Sequence, residues 1–475
     1  MTKMTLTLGV APIKRNFLSM EVAKEQKDLF MKIIGSIQSD IVKIVDIDDV
    51  CENGIAFETD KIDKVVDKFI SSRVDAIFLP FCDFGEETVA AGIASRFSVP
   101  VLVWGARDKY PNSFEQRGRD TQCGIFAATK VLRRQGVKYS YIVNCDPDSD
   151  KFINGYETFL RVAMVVKTMK QVRVAKIGDR PVPFMSVIAN EGELIEKFGI
   201  QCIPLSLTDI AQQAERLVAD GNSELAAYYD DFTSRVDCTP MENAAKDTSK
   251  PGNVQMKDGV KRSLAQTLAI RDAIMQAGCN CASLSCWPSA KTWKGIPCIA
   301  IGELSSQGIP ISCEGDINGA ITLSMLNACA FGKDPQFFAD LTIRHPQNDN
   351  AELLWHCGPF PYALKDENSK ASMVNFNGCW ELRKGDITLC RLDCANGEYY
   401  LFAGEGRATD GPATTGTYVW FETDNWEKWE EKLVFGPYIH HVGGIYGTFL
   451  PVLREAARYL NIRFDTPGMD EVHSL

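Results

Sequence analysis

The sequence predicts an α/β protein: two doubly wound, Rossmann-like α/β domains followed by a C-terminal antiparallel β-barrel-like domain. Three observations carry that expectation. Short apolar strand runs alternate with helical stretches through residues 1–150, and the alternation resumes across 151–344. After about residue 345, helical periodicity gives way to short strands punctuated by Gly, Asn and Asp. Strands alternating with helices of ten or more residues imply a parallel sheet covered on both faces. Regular short strands with turn signals imply a small antiparallel barrel or sandwich.

In the first domain, Thr5 to Val10 alternates as a strand, and Glu21 to Ile37 shows helical spacing of Val22, Leu29, Ile33, Ile34 and Ile37. Ile41 to Ile47 reads as a strand, Ile62 to Ser71 as a helix and Ala76 to Pro80 as a fully apolar strand. A helix through Ala90 to Ala94, the strand Pro100 to Trp104 and a helix from Thr121 to Gln135 follow. Ligand-contacting residues of such sheets lie beyond the C-terminal strand ends. That rule singles out Lys14-Arg15, Cys82 to Gly85 and Gly105 to Asp108.

Tyr139 to Asn144 and Val172 to Ile177 open a second set of units, linked by a helix from Phe152 to Met169. Helix Glu191 to Phe198, strand Gln201 to Pro204, helix Leu207 to Ala219 and a long helix near Gly259 to Ala277 continue it. The polar stretch Asp237 to Lys257 reads as an exposed excursion. Ala282 to Trp287 and Cys298 to Ile301 read as further strands. The last domain, 345–475, offers strands at Met373 to Phe376, Asp386 to Leu392, Tyr399 to Ala403 and Gly416 to Phe421, then a helix from Gly447 to Tyr459.

Composition limits what the chain does. Its 475 residues exceed one hydrophobic core, and 45% hydrophobic with 24% charged residues is the balance of a soluble globular protein. A net charge of −11 argues against nucleic acid or an anionic membrane as partner. No apolar run is long enough to cross a bilayer and the N-terminus lacks a signal layout, so a cytoplasmic location is expected. The 16 cysteines are scattered through apolar patterns, as buried, unpaired thiols are. Cys279, Cys281 and Cys286 have no second spaced pair or nearby histidine to complete a zinc site.

The chemistry concentrates around Ile311 to Asp340, where an apolar helix from Ala320 to Ala330 separates Glu314 and Asp316 from Asp340. A carboxylate beside an apolar element is costly unless its charge is compensated. A divalent cation is the natural compensator, with a nitrogen ligand available in Tyr438 to Gly444. Two carboxylates and an imidazole suit Mn²⁺ or Mg²⁺ better than zinc. The same residues also read as ordinary surface or N-cap positions, and Asp316 can simply cap the following helix. His345 reads as a loop residue, whereas His356 stands in a tight turn that can aim it into a cleft. Trp287 and Trp420 read equally as core or as flat surfaces that stack on a sugar ring. Lys130 to Arg134 reads as a solvated helix face, and no nucleotide-binding signature is present.

These motifs resemble the L-fucose and L-arabinose isomerases. Gly295 to Gly308, then Cys313-Glu314-Gly315-Asp316 with Asn318-Gly319, is similar to that family's run holding the first metal carboxylate. Phe337 to Leu341 is similar to the segment with the second, and His441 to Gly447 to the metal histidine with its glycine-tyrosine-glycine neighbourhood. The resemblance implies one Mn²⁺, replaceable by Mg²⁺ or Co²⁺, held by Glu314, Asp340 and His441. It implies a homo-oligomer, hexamer or trimer, with sites near subunit boundaries, and a role for Lys14 and Arg15 at a neighbour's site.

The expected activity is aldose–ketose isomerisation through a cis-enediolate, on L-fucose, D-arabinose or L-arabinose, or on another sugar such as an anionic C6-modified hexose. Glu314 and Asp340 are the expected acid/base pair. Lys14, Arg15, Trp287, His356, Trp420 and His440 are the expected substrate contacts. Two readings from other classes compete: a non-catalytic sugar sensor and a non-haem Fe(II) oxygenase.

Overall fold

The computed structural model describes residues 4–111, 113, 118–246 and 258–469. The chain divides into two compact units, Thr2–Lys167 and Thr168–Leu475.

The N-terminal unit is built on five parallel strands: β1 (Leu6–Val10), β2 (Val42–Val45), β3 (Ala76–Phe81), β4 (Val101–Gly105) and β5 (Ser140–Tyr141). Their order is β2-β1-β3-β4-β5. Every residue of β3 and β4 is buried, which is why these strands read as unbroken apolar runs rather than alternating ones. The Ile62–Ser71 helix buries Val65, Val66 and Phe69 on one face. On the other side of the sheet, Trp104 packs against Phe152 with ring centroids 4.5 Å apart, and Phe78 meets Tyr156. The segment Tyr139 to Asn144 does not open a second set of units. Its strand β5 closes the first sheet, with Leu102 opposite Ser140.

The C-terminal unit carries two sheets. The smaller is parallel, with β6 (Arg173–Ile177), β7 (Gln201–Leu205), β8 (Cys281–Leu284) and β9 (Ile311–Ser312) in the order β7-β6-β8-β9. Cys298 to Ile301 is not a strand in it but the start of a helix, Cys298–Ser306. Four apolar residues in a row fit a buried strand and a buried helix equally, and the helix is buried from Cys298 through Ser305. The expected excursion at Asp237 is also structured. Residues 239–246 form a helix, and Val236, Cys238 and Met241 are buried. Positions 247–257 of that stretch lie outside the described residues.

The larger sheet has nine strands: β10 (Phe337–His345), β11 (Asn348–His356), β12 (Ser372–Val374), β13 (Asn377–Glu381), β14 (Asp386–Ala395), β15 (Glu398–Thr409), β16 (Thr417–Glu422), β17 (His441–Tyr446) and β18 (Arg463–Asp465). It runs β12-β13-β16-β11-β10-β17-β14-β15-β18, and β15 pairs in addition with β16. The sheet is mixed rather than purely antiparallel, because β13 joins β16 and β18 joins β15 in parallel. A helix the texture concealed, Trp426–Phe435, buries Trp426, Trp429 and Lys432. Between the two sheets runs the Ile317–Cys329 helix, all of whose residues are buried. It contacts β8 and β9 on one side and β14 and β17 on the other, so its N-terminus is held where both sheets meet.

Candidate active site and metal centre

One helix mouth and four strands deliver most of the functional side chains. After β9 the chain turns through Cys313 to Gly315 into the Ile317–Cys329 helix, and Glu314 takes a left-handed backbone at φ +59°. Such a conformation costs a non-glycine residue about 1–3 kcal/mol and persists where the surroundings enforce it. Gly315 follows at φ +69°, and a Cβ there would lie 2.7 Å from the Arg180 backbone nitrogen, so the turn needs glycine. Asp316 caps the helix by accepting the Gly319 N–H at 2.8 Å.

Strand register supplies the rest. Asp340 on β10 is the direct antiparallel partner of His441 on β17 and of Trp355 on β11. Directly opposed residues project their side chains to one face. Gly444 lets β17 lie close to the Phe337 ring, where a Cβ would come within 2.2 Å.

The result is a cluster centred on the fully buried His441 ring. Its Nε2 lies 3.1 Å from Glu314 Oε2 and 3.6 Å from Asp340 Oδ1. Donor atoms of Asp340, His440 and His441 all lie within 4.8 Å of one another. Neighbouring ligand atoms around an octahedral cation with bonds of about 2.1 Å are about 3 Å apart, and the 3.1 and 3.6 Å separations at Nε2 are near that spacing. On the other side of the ring, Nδ1 is 2.9 Å from Asp316 Oδ2. Asp316 can only accept there, which puts the ring proton on Nδ1. The neutral ring then aims the Nε2 lone pair at two carboxylate oxygens. That arrangement requires a proton or a metal cation between them.

The Nδ1 side is internally balanced. Arg391, fully buried on β14, pairs with Asp316 and donates from Nε to Asp393 Oδ2 at 3.0 Å. Asn318 donates to Asp393 Oδ1 at 3.2 Å. Burial works to raise the Asp316 carboxyl, but the Arg391 charge and the His441 hydrogen bond hold it below the usual carboxylate range. Burial opposes charge on His441 as well, and its bonds to Asp316 and Glu314 outweigh it, so the imidazole pKa is raised.

The Nε2 side lacks such balance. Glu314 Oε1 accepts the Trp287 indole N–H at 2.9 Å, which leaves Oε2 facing His441. Burial would raise Glu314, yet the His441 hydrogen bond and the nearby imidazole charges bring it below the ordinary value. Asp340 Oδ1 and His356 Nε2 are 4.0 Å apart, both buried, and neither has a hydrogen-bond partner among the described residues. His356 Nδ1 accepts the Cys357 backbone N–H at 2.9 Å, so its ring proton sits on Nε2, toward Asp340. Burial lowers this imidazole and the Asp340 charge outweighs it, while the N–H aimed at Nδ1 opposes a second proton. A buried carboxylate oxygen with no donor fits a cation ligand.

Of the expected substrate contacts, Trp287, His356 and His440 belong to this cluster. Trp287 is 45% exposed, with Phe184 edge-on at 6.1 Å, and the His440 and His441 rings are 4.5 Å apart. Trp420 does not join them. It is buried beside Leu353 and Tyr418, with its N–H bonded to the Pro412 carbonyl. Lys14 and Arg15 lie in the N-terminal unit, where the Lys14 ammonium bonds the Arg15 carbonyl at 2.7 Å and Arg15 pairs with Glu86 at 3.1 Å. Sequence reasoning missed Arg391, Asp393, Phe184 and Phe338, whose ring meets His441 at 5.0 Å. A signal existed for the first two: charges at alternate positions of the otherwise apolar run Ile387 to Cys394.

Residues 9–170 match the Fucose/sulfoquinovose isomerase N-terminal domain, and residues 380–466 match the L-fucose isomerase C-terminal domain. A sulfoquinovose isomerase from Priestia megaterium is 23% identical over 96% of this chain and 98% of its own length. Another from Alkalicoccus urumqiensis is 26% identical over 72% of this chain and 74% of its own. A periplasmic solute binding protein from Actinobacillus succinogenes with bound D-allose aligns at 15% identity over 69% of this chain and 92% of its own, but its TM-score of 0.18 carries no argument. The class is thereby set: this is a sugar aldose–ketose isomerase. The chain belongs to the fucose isomerase-like family, and the sensor and oxygenase readings fall away.

Proposed function

We propose that the protein interconverts an anionic, C6-sulfonated aldohexose of the sulfoquinovose type and its ketose, with Mn²⁺, or else Mg²⁺ or Co²⁺, in the Glu314–Asp340–His441 cluster. The observation that carries the metal reading is the His441 Nε2 lone pair facing Glu314 and Asp340 at 3.1 and 3.6 Å. The relatives named sulfoquinovose isomerase move the substrate expectation from a neutral pentose or deoxyhexose to the anionic alternative.

Isomerisation moves a proton between C2 and C1 while charge gathers on the carbonyl oxygen. A divalent cation in this cluster supplies the Lewis acidity that stabilises that charge. Glu314, whose lowered pKa keeps it ionised at neutral pH, and Asp340, whose Oδ1 has no donor among the described residues, take the C2 proton and return it at C1. Trp287 holds Glu314 in position through its N–H and offers an exposed ring face to the sugar. His356 Nε2–H is the donor for a substrate hydroxyl, and Asp316 with Arg391 fixes the His441 ring. The assembly into hexamers or trimers belongs to the same proposal.

A panel of aldoses incubated with the protein and Mn²⁺ and scored for ketose tests this reading. Sulfoquinovose is expected to give the highest kcat/KM. Preferential turnover of L-fucose, D-arabinose or L-arabinose would contradict the substrate assignment.

A further inference from the structure

A pair of thiols adjoins His356 and takes no part in the isomerase reading. Cys298 is the first residue of the Cys298–Ser306 helix and is fully buried, whereas Cys357, just past the end of β11, is partly exposed. Their sulfur atoms are 3.4 Å apart across 59 residues of chain, and Cys357 Sγ lies 3.3 Å from His356 Nδ1. A disulfide has an S–S length of about 2.05 Å, so a combined movement of about 1.4 Å joins them.

We propose that Cys298 and Cys357 form a reversible thiol–disulfide modification site, in which Cys357 meets a peroxide and Cys298 resolves the product. The Cys357 thiolate attacks one peroxide oxygen, the O–O bond breaks, hydroxide leaves and the sulfur becomes a sulfenic acid. The Cys298 thiol then attacks that sulfur, the S–S bond forms, and its proton leaves with the hydroxyl as water. Two thiols and one hydrogen peroxide give one disulfide and two waters. An external dithiol reverses it.

The division of roles follows from access and environment. Of the two residues only Cys357 is not fully buried, so it is the one assigned to meet the peroxide. The hydrogen bond from Cys298 holds the Cys357 thiol below its ordinary value against the opposing effect of burial. A second neighbouring pair, Cys286 and Cys313, is buried on both sides, and the Cys286 contact together with burial pushes the Cys313 thiol well above its ordinary value. That pair therefore serves as an internal control. The sulfur that moves on joining lies 3.3 Å from His356 Nδ1, and His356 Nε2 faces Asp340. Resting on the function proposed above, oxidation is expected to slow isomerisation as well.

The test exposes the reduced full-length protein to hydrogen peroxide, blocks remaining thiols with N-ethylmaleimide and maps peptides by mass spectrometry without reduction. The expected map links the Cys298 and Cys357 peptides at two hydrogens below their summed mass, and dithiothreitol restores both thiols. Peroxide that oxidises the exposed Cys123 while Cys298 and Cys357 are both recovered as maleimide adducts would overturn the proposal, as would a link at Cys286–Cys313 instead. In Cys298→Ser the link disappears and Cys357 is expected to advance to sulfinic acid. If that variant fails to fold, the wild-type map decides alone. The map needs no substrate, so it tests the thiol pair equally well if the sugar assignment is wrong.

Discussion

The two sides of the His441 ring hold the same kind of side chain in opposite states of balance. Toward Nδ1, Asp316 and Asp393 share the buried guanidinium of Arg391. Toward Nε2, the ion pairs of Glu314 and Asp340 among the described residues are with imidazoles alone. Both sides are buried, so both face the same cost of desolvating charge. The first meets it with a cation of the protein's own. The second holds the side chains proposed above to bind a metal cation, and on that reading the difference separates the scaffold from the chemistry.

Breaking the balanced side is expected to have the largest effect. Arg391→Met leaves Asp316 and Asp393 buried without their partner, and unfolding in urea should show a loss of about 3–5 kcal/mol. Retention of wild-type stability would mean the guanidinium is not what holds the two carboxylates there. Because Asp316 is held below its unfolded value, its stabilising share is present above that value and is lost as pH falls through the folded one.

Changing the other side should do the reverse. Glu314→Gln keeps the shape and removes the basicity, so turnover measured with added Mn²⁺ should drop by about 10²–10⁴-fold while the urea midpoint stays near wild type. Near-normal isomerisation by this variant would reject Glu314 as a proton carrier. A smaller effect concerns the ion itself. Mn²⁺ at a hundred times its Kd should stabilise the wild type by about 2.7 kcal/mol, read as a rise in melting temperature, and Asp340→Asn should lose most of that rise. An equal rise in both proteins would place the ion elsewhere.

The smallest effect sharpens the comparison with a buried carboxylate outside the cluster. Glu352 on β11 is 5% exposed, and its Oε2 has no hydrogen-bond partner among the described residues. Burial raises its pKa from 4.5 to about 7, against the Arg344 charge. A raised acid stabilises the fold most at low pH and loses that contribution as pH climbs from 4.5 to about 7. Glu352→Gln should therefore stabilise the protein at pH 8 by about 1–2 kcal/mol, after discounting for solvent, and make little difference at pH 4. A pH-independent effect would show that the carboxyl is not the cause.

How much of this was legible follows from the range of each signal. The Ile317–Cys329 helix announced itself because thirteen buried positions leave a run without a single charged residue. Glu314, Asp340 and His441 were singled out through local motifs, but that they lie together depends on β10 pairing with β17 across about a hundred residues, and no local pattern encodes register. The β10–β11 hairpin itself escaped notice because its tip, from Thr342 to Asn350, is mostly polar and largely exposed. Trp420 shows the opposite failure: an aromatic suited to a sugar face is spent on packing against Leu353 and Tyr418. Arg391 was passed over because a charge in an apolar strand has meaning only once its two carboxylates are known.

The most direct measurement is an anomalous-scattering map from crystals grown with Mn²⁺. The account predicts one peak per chain, within about 2.0–2.4 Å of a Glu314 oxygen, an Asp340 oxygen and His441 Nε2. Saturating Mn²⁺ with no peak at that position, or a peak bound by other side chains, would contradict it.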